Sequence, residues 1–354
     1  MRHFWGLICL LCFACTTEEI GPPPPADPCT TSAAGGLGVP EGFTVRVTPG
    51  EFVDPFGAIF QMADATTGYV AEGGLLNLPN RLHRTDDAGE TWTVLPNAPQ
   101  GVPLFFNWLS ADWGWLVTWQ ERDDRTRIWR TTDGGDTWTF TEPLGLVGGE
   151  LWELMQDESG HYYGLFSDYD RLIIVHSEDD GESWAPLYTT TGLQRSFLVQ
   201  QNLRYDQNVL YVPAEASSVR RIRTDGTALP GIETGAGPGL GRPLLIDGDD
   251  WLVATDAGIY RTVDGGGSWT LVDDASVFPL FQREDELWVG ETLNCPNSGS
   301  GTDRMRLAYS SDRGQTWQRS VTSTAQLSDF RFDAAGSQAF LGVHFLKTYH
   351  VEAL

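Results

Sequence analysis

An eight-residue motif recurs five times along this chain and constrains its fold more than any other feature. The copies read TDDAGETW (85–92), TTDGGDTW (131–138), SEDDGESW (177–184), TVDGGGSW (262–269) and SSDRGQTW (310–317). Such a motif predicts a tight hairpin turn: the aspartate accepts backbone N–H bonds, the glycine takes a positive φ, and the tryptophan packs between neighbouring sheets. We therefore assign a structural role to Asp87, Trp92, Asp133, Trp138, Asp179, Trp184, Asp264, Trp269, Asp312 and Trp317.

The spacing of the copies predicts a repeat architecture. They begin at residues 85, 131, 177, 262 and 310, and the long interval indicates a degenerate sixth copy at RIRTDGT (221–227). A period of about 45 residues is typical of four-stranded propeller blades. The sequence also holds 40 Gly and 20 Pro and lacks a long helical pattern, so an all-β fold is expected.

The motif resembles the Asp-box of the BNR and sialidase-like β-propeller families, over roughly residues 43–354. The resemblance implies four-stranded blades in which each box joins the third strand to the fourth. Counting from the boxes gives six blades, and the segment after Ser323 supplies three more strands. The strand FTVRVTP (43–49) would complete a seventh blade and close the ring. A six-bladed ring is the alternative.

The N-terminus predicts export. Residues 1–14 carry an apolar run that is too short to span a bilayer, which is typical of a signal peptide. Ala14 before Cys15 resembles a bacterial lipobox, although Cys12 departs from it, and implies lipid attachment at Cys15. We expect a flexible Pro/Gly-rich tether over 15–42 and the propeller over 43–354.

This export pattern also predicts a location. We expect the chain to be lipid-anchored in a bacterial cell envelope, at the outer membrane or the cell surface. In an oxidising compartment Cys29 and Cys295 could form a disulfide.

Charge restricts the partners. The sequence contains 23 basic and 48 acidic residues. The resulting net charge of −25 disfavours binding to nucleic acid and to anionic lipid surfaces. Membrane contact is therefore expected only through the lipid anchor. The six histidines show no ligand spacing, so we expect no metal and no cofactor in a monomeric protein.

Binding residues are expected on the face opposite the boxes. The innermost strands should begin near Asn107, Glu150, Arg195 and Arg242, whose side chains would converge at the mouth of the central channel. Paired arginines can hold the carboxylate of a sugar or peptide. Trp108 and Trp152 are the predicted exposed aromatic contacts.

Two functions fit this pattern. The first is a non-catalytic module that binds an envelope or extracellular protein, or a glycan. The WGWLVTW…RTTDGGDTW pattern is also similar to lipoprotein-type photosystem II assembly factors, and that similarity implies a seven-bladed, protein-binding propeller.

The alternative is an exo-acting, sialidase-like glycoside hydrolase. True sialidases carry a Phe/Tyr-Arg-Ile-Pro motif near the N-terminus, and this sequence lacks that motif. Glu150 and Glu153 form a weak acid pair, because residues three apart on a regular strand face opposite sides.

Overall fold

The computed structural model describes residues 38–49, 59–72, 81–120, 125–142, 149–168, 171–191, 203–214, 218–235, 241–283, 285–293, 304–321, 339–343 and 347–353. Throughout these ranges the regular secondary structure is β. They contain no helix of the length and apolarity needed to cross a bilayer. The predicted signal peptide, Cys15, Cys29, Arg195 and Cys295 all lie outside these ranges.

Strand β1 (Phe43–Pro49) is followed by six four-stranded antiparallel sheets in chain order, which we number as blades 1 to 6. Blade 1 contains β2 (Ile59–Met62), β3 (Gly68–Glu72), β4 (Arg81–Thr85) and β5 (Thr93–Val94). Blade 2 contains β6 (Val102–Trp108), β7 (Gly114–Gln120), β8 (Arg125–Thr131) and β9 (Thr139–Thr141). Blade 3 contains β10 (Gly149–Gln156), β11 (Tyr162–Asp168), β12 (Arg171–Ser177) and β13 (Ala185–Thr191).

The second half of the chain repeats this order. Blade 4 contains β14 (Arg204–Asp206), β15 (Val209–Ala214), β16 (Ser218–Arg223) and β17 (Ala228–Glu233). Blade 5 contains β18 (Arg242–Asp247), β19 (Asp250–Thr255), β20 (Gly258–Thr262) and β21 (Thr270–Asp273). Blade 6 contains β22 (Val277–Arg283), β23 (Glu286–Leu293), β24 (Arg304–Ser310) and β25 (Gln318–Arg319). The all-β propeller of four-stranded blades is thereby confirmed.

A seventh sheet joins the two ends of the fold. Its described strands are β1, β27 (Lys347–Ala353) and β26 (Ala339–Val343), in the order β1-β27-β26. Pairing of β1 with β27 confirms that the N-terminal strand joins the C-terminal sheet. Phe43 on β1 also packs edge-on against Trp288 and Tyr309 of blade 6. Six four-stranded blades are observed, while a fourth strand in the seventh sheet stays a prediction.

The hydrophobic core lies between the blades. One cluster, for example, joins Tyr69 and Leu82 of blade 1 to Phe106, Trp108 and Leu116 of blade 2. Equivalent clusters link blades 2 and 3, 3 and 4, 4 and 5, and 5 and 6. Because each blade buries its two faces against its neighbours, the ring is stabilised chiefly by contacts between adjacent blades.

Each complete box is a hydrogen-bonded turn. In blade 2 the Asp133 carboxylate accepts the Thr137 backbone N–H at 2.9 Å and the Thr137 hydroxyl at 2.6 Å. It also accepts the Thr131 hydroxyl at 2.8 Å, and that hydroxyl accepts the Gly135 N–H. The same set of bonds occurs in the other four boxes.

The boxes define one face of the ring. In blades 1, 2, 5 and 6 the fourth box residue donates its backbone N–H to the turn that joins the first two strands of its own blade, as Gly134 does to Asp112. The degenerate copy in blade 4 keeps this bond, from Thr224 N–H to the Asn208 carbonyl. On the opposite face, which we call the connection face, the second strand of each blade ends and the third strand begins.

An arginine directly before a box bonds to the next box. Arg84 donates to the Gly134 carbonyl, Arg130 to the Asp180 carbonyl and Arg261 to the Arg313 carbonyl. Each acceptor is the fourth residue of the neighbouring box. The repeated sequence thus encodes contacts between blades as well as turns within them.

Candidate functional site

Polar side chains link the innermost strands around the channel. From blade 1, the Gln61 amide exchanges two hydrogen bonds with the backbone of Trp108 in blade 2. Further round, Glu153 of blade 3 accepts the Leu203 N–H at 2.7 Å, and Asp206 of blade 4 accepts the Gly248 N–H at 3.1 Å. Because each bond joins consecutive blades, these groups stabilise the walls of the channel.

Asn107 belongs to these links and does not begin a strand. Strand β6 starts at Val102, so Asn107 lies near its other end, close to the box face. Its amide accepts a bond from Gln61 at 3.1 Å and donates to the Leu154 carbonyl at 3.5 Å. The expected convergence of Asn107 with Glu150 and Arg242 at one channel mouth is therefore wrong.

Trp108 is likewise not a surface aromatic. Its exposed fraction is 0%, and its ring stacks on Tyr69 with 3.4 Å between centroids and 4° between planes. A Cβ at Gly114 would collide with the indole, so the glycine makes room for the ring. The prediction that Trp108 is exposed to a ligand is corrected, because the alternation of β6 turns this ring into the interface between blades 1 and 2.

The structure describes three other predicted binding residues only in part or not at all. Glu150 and Trp152 lie on β10, near its connection-face end, and their side chains are outside the described part. Arg195 falls wholly outside it, and the described innermost strand of blade 4 begins at Arg204 instead.

Arg242 occupies the predicted position, the first residue of β18 on the connection face. Its exposed fraction is 6%, and it donates to the Val277 carbonyl at 3.3 Å. The closest carboxylate given by the structure is Asp256, at 4.0 Å. Burial lowers the pKa of Arg242, and the attraction of Asp256 does not offset that effect. This guanidinium is a buried cation with incomplete neutralisation.

Arg204 is a half-buried cation that the sequence reasoning missed. Its Nη1 donates to the Leu203 carbonyl at 3.3 Å, whereas its buried Nε has no partner among the described residues. Burial lowers the pKa of Arg204 despite the nearby charge of Glu153. The hairpin turn at Gln207 and Asn208, both with positive φ, was the signal that would have located this strand.

A recurring bulge changes the alternation of the innermost strands. Strand β10 shifts register between Leu151 and Glu153, and β6, β18 and β22 shift at equivalent places. A bulge inserts one residue and reverses the side on which later residues fall. The bulge of β10 lies between Glu150 and Glu153, and the Glu153 carboxylate is already bonded to the Leu203 N–H.

A network of ion pairs around a buried glutamate joins β21 of blade 5 to β23, β24 and β25 of blade 6. Glu291 has an exposed fraction of 1% and accepts bonds from Arg306 and Arg319, the latter at 2.7 Å. Arg319 also pairs with Asp273 on β21. The described residues contain no group of three His, Cys, Asp or Glu side chains arranged to hold a metal ion.

A model of the BNR/Asp-box repeat matches residues 308–319, which cover the last box. The chain folds as a β-propeller, and its boxes resemble that repeat. No curated protein matches its sequence.

Solved structures resemble this propeller in fold. YCF48 bound to D1 peptide is 17% identical, with a TM-score of 0.57 over 91% of this chain and 98% of that one. The WD40 propeller of Doa1 is 11% identical, with a TM-score of 0.56 over 88% and 98%. The C-terminal WD40 domain of Sif2 is 10% identical, with a TM-score of 0.52 over 90% and 98%. At these identities the likeness concerns the fold alone.

Proposed function

We propose that this propeller is a non-catalytic binding module whose partner is a protein segment that carries a carboxylate. The buried Arg242 on the connection face is the observation that carries the proposal. Taking a cation out of water is costly unless an anion compensates it, and Asp256 stands 4.0 Å away. A ligand carboxylate can form charge-assisted bonds with this guanidinium that no described carboxylate forms.

Arg204 of the adjacent blade does not belong to this site. It opposes Tyr211 on a strand that ends at the hairpin turn of Gln207 and Asn208 on the box face, whereas Arg242 lies at the connection-face end of β18. The bonds around the channel hold Arg242 on a rigid wall, which lowers the entropic cost of binding. The structural neighbour YCF48 was solved with a bound peptide, which agrees with a propeller of this shape binding protein.

The test is fluorescence anisotropy with the full chain and a labelled hexapeptide, prepared with a free and with an amidated C-terminus. We expect the free carboxylate to bind at least tenfold tighter, as a charge-assisted bond of about 1.5–3 kcal/mol would give. Arg242→Gln should remove that preference. Arg223→Gln is the matched control, because Arg223 is exposed on β16.

Glycoside hydrolysis is the competing outcome. A panel of fluorogenic glycosides, sialosides included, should show no turnover by folded protein, with a melting curve recorded beside it. Turnover that Arg242→Gln abolishes would refute a non-catalytic role. Equal binding of the free and amidated peptides would refute the carboxylate site.

The export and anchoring predicted from residues 1–42 form part of the proposal. The lipobox-like Ala14-Cys15 pair supports lipid attachment at Cys15, with the tether holding the propeller away from an envelope membrane. Fatty-acid labelling of the full chain, and its loss in Cys15→Ser, would test this. Labelled Cys15→Ser protein would contradict it.

A further inference from the structure

The outer half of blade 2 carries two aromatic rings side by side on one face of its sheet. Phe140 on β9 lies opposite Trp129 on β8, and their ring centroids are 4.7 Å apart with 48° between the planes. Phe140 is 49% exposed, more than any other aromatic side chain that the structure describes. Trp129 packs against the cluster that joins blades 1 and 2, so this face is turned towards blade 1. The two rings therefore form an apolar surface that is open to solvent.

A row of charged side chains continues this face towards the start of β8. Arg127 lies two residues before Trp129, and its guanidinium stands 5.0 Å from the centroid of the Phe140 ring. The Glu142 carboxylate accepts a bond from Arg127 Nε at 3.0 Å and another from Arg125 Nη1 at 2.5 Å. These bonds from Arg127 and Arg125 lower the pKa of Glu142, so the carboxylate is charged at neutral pH. Apolar surface with such a polar border is typical of binding sites.

Gln120 extends the row on the neighbouring strand. It lies opposite Arg125, and its amide nitrogen donates to the Thr118 hydroxyl at 2.9 Å and to the Gln100 carbonyl. These bonds fix the orientation of the amide, whose oxygen is an acceptor. The row thus combines guanidinium donors with carboxylate and amide acceptors, directly beside the aromatic rings.

This combination is particular to blade 2. The cross-strand pairs at the same position of the other complete boxes are His83–Val94, Val175–Pro186, Tyr260–Leu271 and Ala308–Arg319. None of them pairs two aromatic rings. In blade 6 the residue that corresponds to Phe140 is Arg319, which forms an ion pair with Asp273 of blade 5. The box fold therefore does not require an exposed aromatic residue at this place.

We propose that a surface on the outer face of blade 2 binds a neutral, extended, β-linked oligosaccharide. The surface is formed by Gln120, Arg125, Arg127, Trp129, Phe140 and Glu142. A sugar ring presents a face of aliphatic C–H groups that packs on an aromatic ring, and its hydroxyls both donate and accept hydrogen bonds. The row from Arg125 to Trp129 is about 13 Å long at about 3.3 Å per residue, which exceeds the length of one sugar ring.

Charge favours a neutral ligand over an acidic one. Both arginines of the row are already paired with Glu142, so a ligand needs no charge of its own to neutralise them. A chain with a net charge of −25 also repels polyanionic glycans. This surface is separate from the carboxylate site at Arg242, which lies on blade 5.

The first test is isothermal titration calorimetry of the full chain with four hexasaccharides. Cellohexaose and xylohexaose are neutral and β-linked, maltohexaose is neutral and α-linked, and hexagalacturonate is charged. We expect cellohexaose or xylohexaose to bind at least tenfold tighter than the other two. Hydrogen exchange at Thr139–Thr141 should slow when the sugar is bound.

The second test uses variants of exposed residues. Phe140→Ala should weaken binding at least tenfold, whereas Phe140→Trp should preserve it because a ring remains. Leu271→Ala is the matched control, since Leu271 occupies the same position in blade 5 and is 48% exposed. Leu271→Ala and Arg242→Gln should both leave sugar binding unchanged, so this test is independent of the carboxylate site.

Three results would overturn the proposal. The first is the absence of binding by both cellohexaose and xylohexaose. The second is equal sugar binding by Phe140→Ala and the unmodified chain. The third is tighter binding of hexagalacturonate, which would show that the arginines select a charged ligand.

Discussion

Replacing Trp108 with Ala tests the placement of the largest aromatic side chain in the interface between blades 1 and 2. The ring is fully buried, stacks on Tyr69 and meets Trp138 edge-on at 6.0 Å between centroids. A buried Trp removes about 150–250 Å² from water, which at about 25 cal/mol per Å² corresponds to roughly 4–6 kcal/mol. Compactness of the unfolded chain reduces this value, so we expect Trp108→Ala to lower the free energy of unfolding by about 4 kcal/mol.

Urea unfolding followed by tryptophan fluorescence and by circular dichroism would measure this loss. Trp108→Phe should cost about half as much, because an aromatic ring still stacks on Tyr69. Val263→Ala is the control, since Val263 is 70% exposed and its loss should change stability by less than about 0.5 kcal/mol. Unchanged stability of Trp108→Ala would refute the buried placement and restore Trp108 as a surface residue.

Two further predictions concern charge. Hydrogen bonds from Thr137 lower the pKa of Asp133 from 3.8 to about 2, so this carboxylate stabilises the fold above its unfolded pKa and the contribution is lost as pH falls towards 2. Melting temperatures recorded between about pH 5 and pH 2 should fall less steeply for Asp133→Asn than for the unmodified chain, and parallel curves would contradict this. Glu291→Gln should cost about 1.5–3 kcal/mol, because the buried Glu291 carboxylate accepts charge-assisted bonds from the partly buried Arg306 and from Arg319. A double-mutant cycle with Arg306→Met would measure the coupling, and a value near zero would refute the pair.

The fold was predictable because the side chains of each box form the hydrogen bonds that define its turn. A hydroxyl, an aspartate and a glycine at fixed spacing form the same turn wherever they occur, and the interval between turns sets the blade. The pairing of β1 with β27 followed from counting strands, because an unpaired edge on each side would have been costly.

The candidate site was harder to predict, since the innermost strands do not alternate regularly. Bulges in β6 and β10 reverse the facing of the residues that follow them, and periodicity of two cannot reveal where a bulge falls. Trp108 and Asn107 were misplaced for a related reason, because each lies at the box end of its strand. Arg242 was placed correctly because a two-residue turn, Gly248–Asp249, fixed the position of its strand.

Blade 4 shows which part of the box the fold requires. RIRTDGT has lost the final tryptophan, yet Thr224 still donates its N–H to the Asn208 carbonyl and Asp225 still accepts the Thr227 N–H. The backbone bond that joins the turn to the first hairpin therefore survives when the side-chain motif does not. In blades 2, 3, 5 and 6 the box tryptophan packs in the cluster that its blade shares with the preceding one. The corresponding cluster of blades 3 and 4 lacks that tryptophan, and there Tyr163 stacks on Tyr205 with 6.4 Å between ring centroids. The interface of a blade without its box tryptophan is thus still packed by aromatic residues of its inner strands.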